Sequence, residues 1–326
     1  MSKIPSNRHP VLNGYNLADA VNQVINTGRV TMGPQVQKFE QAVKDYYDVE
    51  EAISFGSGTL AHHAAVKALK TDPNRKETIV VPAFTYRTTR WALQMAGFDI
   101  FYEDINPDTY HFDYENMTHY YEYISFMDTY GSICDTDKHD PYLCVIDACH
   151  SFGVPRKELR GRGEVFSFNG GKLFTTGEGG MVITNDSDYA ESVKEIRNDV
   201  ARMPELGAAL GLDFMDCIDQ ILAERQDNAN YYTENLRSEF VPQEIPIATN
   251  NYMYAVRCPH RNLIIRTLRD EVELRYYYYP GLVSRPNTDQ VGRSHMVLPN
   301  GVNMQREVES VTETLNNLMT GLVDDK

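Results

Sequence analysis

Between residues 51 and 184 the chain repeats one theme: a short apolar run, a glycine or proline stop, then a stretch with helical spacing. Residues 51–54 lead through Phe55-Gly56-Ser57-Gly58-Thr59 into a helix reaching about residue 69. Thr78-Ile79-Val80-Val81 is closed by Pro82; a helix follows over about 88–96 and stops at Gly97, and 98–102 is extended again. Residues 143–146 and 181–184 repeat the pattern. Runs that are apolar throughout belong to strands buried on both faces, as in a parallel sheet covered by helices. Strands alternating with helices therefore predict an α/β fold with a mostly parallel central sheet.

The flanks of this region read differently. Residues 15–28 and 35–47 have helical spacing, broken at Thr31-Met32-Gly33-Pro34. Beyond residue 200 the spacing predicts a long helix over 218–236, a strand over 251–257, a helix over 261–270 and a final amphipathic helix over 307–322. We expect a large domain over 1–227 and a smaller α+β domain over 228–326, a division in keeping with a length of 326 residues. The formal net charge of −15 argues against duplex DNA or anionic lipid as the main partner, since both need a basic footprint. The five cysteines are odd in number and form no C-x-x-C pair, which reads as reduced thiols rather than a disulfide frame or a zinc site; no metal is expected. The first residues carry no apolar signal core, and no run approaches the roughly 20 apolar residues of a membrane helix, so a cytoplasmic protein is expected.

Four stretches carry chemistry. In VFSFNGGKLFTTGEGGMVITN (165–185) one lysine, Lys172, sits in a glycine-dense turn between two apolar runs, with Ser167 five residues before it. Most lysines are solvated surface charges, but glycines on both sides permit close approach to a ligand, where an amine can form a Schiff base with an aldehyde. In LCVIDACHSFG (143–153), Asp147 ends an apolar strand, where open α/β sheets place ligands; alone it reads equally as a cap. FGSGTLA (55–61) is a glycine-rich turn feeding a helix, suited to a phosphate but weak as a motif. PAFTYRTT (82–89) can present an aromatic face beside a helix start, or be an ordinary turn.

Together these stretches resemble the DegT/DnrJ-type nucleotide-sugar aminotransferases, pyridoxal-phosphate enzymes of fold type I. Ser57-Gly58-Thr59 with Ala61 matches that family's SGT-A phrase, and Pro82, Thr85 and Tyr86 match its P-x-x-T-aromatic. Asp147, Ala148, His150 and Gly153 match D-A-x-(Q/H)-x-x-G. Ser167, Phe168, Lys172 and Gly177-Glu178-Gly179-Gly180 match the lysine phrase, and Gly33-Pro34 with Phe39-Glu40 resembles the opening one.

The resemblance implies pyridoxal 5′-phosphate (PLP, cycling with its pyridoxamine form PMP) as cofactor. Lys172 would hold it and shuttle a proton, and Asp147 would pair with the pyridine nitrogen. Tyr86 would stack on the ring, and Gly58, Thr59 and Ser167 would bind the phosphate. His150, where many relatives carry Gln, would approach the 3′-oxygen, so its tautomer matters. Tyr278 and Tyr279, in the Tyr276–Tyr279 run before Pro280, resemble a substrate-contacting segment; an aromatic edge strand is the plainer reading. Also implied are a nucleotide-linked keto-sugar as substrate, glutamate as amino donor, and a homodimer, with no nucleic acid or membrane partner.

Three departures stand out. The chain is shorter than such relatives, and the segment between Phe112 and Tyr142 is compressed. The family's G-x-N-x-R-M phrase, whose Asn reaches the partner subunit's phosphate, survives only as Gly211-Leu212-Asp213-Phe214-Met215-Asp216, so no such role is carried onto Asp213. The helix after it lacks about three turns of the length usual in that family, and Arg197, Arg202 and Arg225 become candidates for the missing cation. Rival readings are a sugar dehydratase of the same fold, which has His in place of the lysine, a cysteine desulfurase, which has His directly before it, and a non-catalytic binding or regulatory homologue.

Overall fold

A computed structural model describes residues 3–324 apart from 73, 118 and 119. Helices α1 (Tyr15–Thr27) and α2 (Pro34–Tyr47) open the chain. The alternating region follows as β1 (Glu51–Phe55), α3 (Gly58–Lys67), β2 (Glu77–Pro82), α4 (Arg87–Met95) and β3 (Phe98–Glu103). It continues through β4 (Tyr123–Met127), β5 (Cys144–Asp147), β6 (Gly163–Ser167) and β7 (Gly180–Thr184). These strands form one seven-stranded sheet in the order β1-β7-β6-β5-β4-β2-β3. β7 runs antiparallel to both of its neighbours, and the remaining pairs are parallel. The expected α/β architecture is present, and the compressed segment holds β4, a fully buried strand that its sequence does not announce.

Side chains alternate across this sheet, so each strand feeds two cores. Val145, Val165 and Val182 pack with Ala64, Leu93 and Val193 on one face. Their neighbours Ile146, Phe166 and Ile183 pack on the other face with Phe39, Phe214 and Ile221. The helices serving these faces after β7 are α5 (Ser187–Val200), α6 (Glu205–Met215) and α7 (Ile218–Asn235). α6 holds the opening helices by their exposed amide ends. The Glu205 carboxylate accepts from the Gly33, Gln35 and Val36 N–H groups at 2.6, 3.0 and 3.3 Å, closing the start of α2. Asp213 does the same for α1, accepting from the N–H groups of Asn16 at 3.0 Å and Leu17 at 3.2 Å.

The remainder forms β8 (Val241–Pro242), β9 (Tyr254–Arg257), α8 (Arg261–Thr267), α9 (Pro286–Ser294), β10 (His295–Leu298) and α10 (Gln305–Asp324). The three strands make an antiparallel sheet in the order β10-β9-β8. Its core joins Ala229 and Tyr232 of α7 to Val256, Ile264, Met296 and Leu315. Helix α7 thus runs unbroken through position 228. The N-terminal segment also packs here, through an Ile4–Val272 bridge. Among the described residues no helix is long and apolar enough to cross a membrane.

Under the carboxyl ends of β4 and β5 lies a buried ionic cluster. Arg160 grips Asp128 with both Nη atoms at 2.7 Å and reaches Glu164 at 2.7 Å. Arg156 Nε donates to Glu164 at 2.7 Å, and Asp128 also accepts from the Ser151 hydroxyl and from the Cys134 N–H. Burial alone would raise the Asp128 carboxyl; Arg160 and Arg156 outweigh it and hold the group well below the usual carboxylate range. Glu164 lies within β6, so the ion pairs also explain how a charge sits inside a central strand.

Candidate active site

The parallel strands end on a shared edge, and there the loops enclose a cavity of about 350 Å³. That volume falls in the range of small-molecule sites, and the carboxyl edge of an open α/β sheet is where they form. Asp147, the last residue of β5, is buried in its wall. It accepts from the Thr89 hydroxyl and the Cys149 N–H, each at 3.3 Å, and His62 Nδ1 stands 3.7 Å from its Oδ2. These contacts are few and long, so the carboxylate keeps acceptor capacity for a group entering the cavity.

Lys172 lines the same cavity. Its backbone N–H donates to Asn169 at 2.9 Å, tightening the turn after β6, and its Nζ lies over the Tyr252 ring at 5.9 Å. Burial lowers the amine's pKa, outweighing the pull of Cys149 and Asp147. An amine shifted this way is a better nucleophile and base near neutrality.

The helix start is built by close approach. Ser57 caps α3 through its hydroxyl, which accepts from the Leu60 N–H at 3.3 Å. Gly58 packs directly on β6: a Cβ there would sit 2.5 Å from Ser167 Cβ. Gly180 of β7 is equally constrained, since its Cβ would fall 2.6 Å from Gly58 Cα. Only glycines let β6, β7 and the α3 N-terminus converge, and they leave Gly58, Thr59 and Ser167 together on the cavity wall.

His150 is buried between aromatic rings, Tyr130 at 6.2 Å and Tyr252 at 5.1 Å. Its Nδ1 accepts from the Tyr130 N–H at 3.3 Å, which leaves Nε2 as the protonated nitrogen. Burial first, then Lys172, pushes its pKa well below the usual histidine value. The ring is therefore a neutral donor. Tyr86, half-exposed at the start of α4, and Tyr278 complete the aromatic lining, their rings 6.5 Å apart.

Of the residues singled out in the sequence, Gly58, Thr59, Tyr86, Asp147, His150, Ser167, Lys172 and Tyr278 share this one cavity. Tyr279 does not join them: it is exposed and lies against Gly292 of α9. Nor do the candidate arginines. Arg197 pairs with Glu40 at 3.4 Å and Arg202 is exposed. Arg225 is fully buried, donating to the carbonyls of Tyr252 and Asn300 at 2.9 and 3.2 Å and to Asn7 Oδ1 at 2.5 Å. The cavity also gathers Thr89, Cys149 and Tyr277, which lie inside the stretches read from the sequence, and His62, Tyr252 and Arg275, which lie outside them. His62 had a readable signal, one helical turn after Gly58; Arg275 and Tyr252 come from distant loops and had none.

PLP fits this donor set. It needs an amine for its aldehyde, an anion for its ring nitrogen, amide and hydroxyl donors for its phosphate, and a ring face; Lys172, Asp147, the Gly58–Ser167 cradle and Tyr86 offer them in one enclosure.

Comparison with known proteins agrees with this geometry. A GDP-perosamine synthase of Caulobacter vibrioides is 28% identical over 323 residues, covering 88% of this chain and 85% of the relative. DesI, solved in the presence of its TDP-sugar product, shares the fold with a TM-score of 0.86 at 21% identity, over 97% of this chain and 93% of its own. NtdA from Bacillus subtilis, with bound cofactor PMP, gives 0.84 at 21% identity over 98% and 86%. Residues 13–316, which span the whole cavity, match a single family description, and on that match the chain belongs to the DegT/DnrJ/EryC1/StrS aminotransferase family.

Proposed function

We propose that this protein is a PLP-dependent aminotransferase that converts a nucleotide-linked keto-sugar to an amino sugar, with glutamate as donor. The observation that carries the reading is the pairing of chemistries in one cavity: a lysine of lowered pKa and an undersaturated aspartate at the end of β5. The nucleotide-sugar substrate is supported by what the relatives make or were solved with, a GDP sugar and a TDP-sugar product. The retained lysine speaks against a dehydratase, and Gly171 before it against a desulfurase.

PLP, when bound, supplies an aldehyde and an electron-withdrawing ring. Lys172 Nζ would hold that aldehyde and, once displaced by the substrate amine, take and return the proton at the reacting carbon. Asp147 would hold the proton at the pyridine nitrogen. The Gly58, Thr59 and Ser167 wall, at the positive end of α3, would fix the phosphate. His150, kept neutral, would donate a hydrogen bond from Nε2. Mixing the holoenzyme with glutamate and a panel of UDP-, dTDP- and GDP-linked 3- and 4-keto-sugars, with mass spectrometry of the products, tests the assignment; amination of none of them would overturn it.

The same reading includes a homodimer in a cytoplasmic setting. Val11, Tyr15 and Ile25 leave 97%, 75% and 74% of their surface in water around α1, and Trp91 and Met95 do so on α4. Such apolar faces are suited to a second copy, and the cavity's own phosphate wall carries no arginine. Asp213 is engaged at the start of α1, so any cross-subunit donor is a different residue. Sedimentation at micromolar concentration should give a dimer of the 37.2 kDa chain; a fully active monomer would exclude it. The five unpaired thiols suit a reducing compartment.

A further inference from the structure

Two cationic side chains line the cavity among the described residues, Lys172 and Arg275. In the proposed function Lys172 is committed to the cofactor, whereas Arg275 lies on the segment that carries Tyr277 and Tyr278. Its backbone is fixed to β10, giving and receiving hydrogen bonds with Val297 at 3.4 and 2.7 Å. Its guanidinium is fixed on one edge, where Nε and Nη2 donate to Glu273 Oε1 at 3.0 and 2.5 Å. Glu273 is itself pinned, its Oε2 accepting from the Ser6 N–H at 2.9 Å. Nη1 then donates to the Tyr277 hydroxyl oxygen at 3.1 Å.

A guanidinium has five N–H groups, and the three contacts above use three of them. Two remain, one on each Nη. The Tyr277 hydroxyl accepts from Arg275, so its own proton is free to be donated. A held guanidinium with spare Nη protons beside a phenolic donor matches the oxygens of a carboxylate or a phosphate. The chain as a whole, at a formal charge of −15, repels such anions, so a fixed local cation has an electrostatic task here.

We propose that Arg275 and Tyr277 form an oxyanion-binding subsite that takes the anionic group of a substrate, either the carboxylate of the amino donor or the diphosphate of the nucleotide. The subsite rests on the aminotransferase reading and deepens it. Isothermal titration of the cofactor-loaded wild type, Arg275→Gln and Tyr277→Phe tests it without turnover, using glutarate as an unreactive dicarboxylate and UDP, dTDP and GDP as diphosphates. Arg275→Gln should weaken one of these two ligand classes at least about tenfold, and Tyr277→Phe the same class about threefold. Loss confined to glutarate assigns the carboxylate; loss confined to the nucleotides assigns the diphosphate. Unchanged affinity for both classes in the variants, or no binding of either class by the wild type, overturns the subsite. Should Arg275→Gln not fold, unchanged binding by Tyr277→Phe does so alone. An Arg275-dependent anion site in a protein that aminates no keto-sugar would instead overturn the function and leave the subsite standing.

Discussion

Two aspartates stand side by side at the ends of neighbouring strands, and they do opposite work. Asp128 follows β4, Asp147 ends β5, and the Asp128 N–H donates to the Asp147 carbonyl at 3.1 Å. Both are buried. Asp128 is saturated: two Nη atoms of Arg160, the Ser151 hydroxyl and the Cys134 N–H occupy its oxygens. Asp147 has two long hydrogen bonds and a histidine at 3.7 Å. Burial of a carboxylate thus does not mark function; what marks it is unspent acceptor capacity facing a cavity. The saturated acid is spent on its own ion pairs, and in the proposed function the unsaturated one meets the cofactor.

That contrast can be broken by substitution. Lys172→Ala should have the largest effect, lowering turnover by at least about 10³-fold and removing the near-visible band of the bound cofactor, with the denaturation midpoint unchanged. Asp147→Asn should follow, lowering the single-turnover rate by roughly 10²–10³, or about 3–4 kcal/mol, while unfolding free energy stays within about 1 kcal/mol. A single-turnover rate equal to wild type would remove Asp147 from the chemistry.

Asp128→Asn should show the reverse pattern. Removing one of the two buried carboxylates that balance Arg160 and Arg156 should cost about 3–5 kcal/mol of stability by denaturant titration, while the folded fraction keeps a near-normal turnover. The pH dependence follows from the sign of the shift. The folded-state pKa of Asp128 lies below its unfolded value, so its contribution is present above the unfolded value of about 4 and is lost as pH falls from there toward the folded pKa. Wild type should therefore lose more stability than Asp128→Asn between about pH 4 and pH 2; parallel curves would show that the pair contributes nothing.

The smallest effect is expected at His150. Because its Nδ1 accepts from a backbone N–H and burial keeps the ring neutral, Gln can replace it as a donor. His150→Gln should retain activity within about tenfold, and the pH dependence of the cofactor absorbance should not move. A displaced titration curve would show that the imidazole carries charge at the site.

Much of this was legible because it depends on local chemistry. Parallel strands buried on both faces must be apolar throughout, so β2 and β7 stand out in the sequence; Gly58, Gly179 and Gly180 are visible because close approach there tolerates nothing larger, and Gly177 because its φ is positive. β6 was harder to read, since Glu164 interrupts its apolar run and is tolerated only through arginines contributed by the preceding loop. β4 lacks flanking glycine or proline, and α6 shows in the sequence only as a degraded motif although its acids close the starts of α1 and α2.

The sequence by itself determined the strand–helix alternation, the lysine turn and the strand-end aspartate, because strand burial, glycine dihedrals and strand-end position are set within a few residues of each group. The tertiary structure alone decided which aspartate is free, which tautomer His150 holds, that Tyr278 rather than Tyr279 lines the cavity, and that Arg275 is there at all. Each of these depends on partners more than about 15 residues away in the chain or on a side chain's direction, and neither is encoded in local spacing.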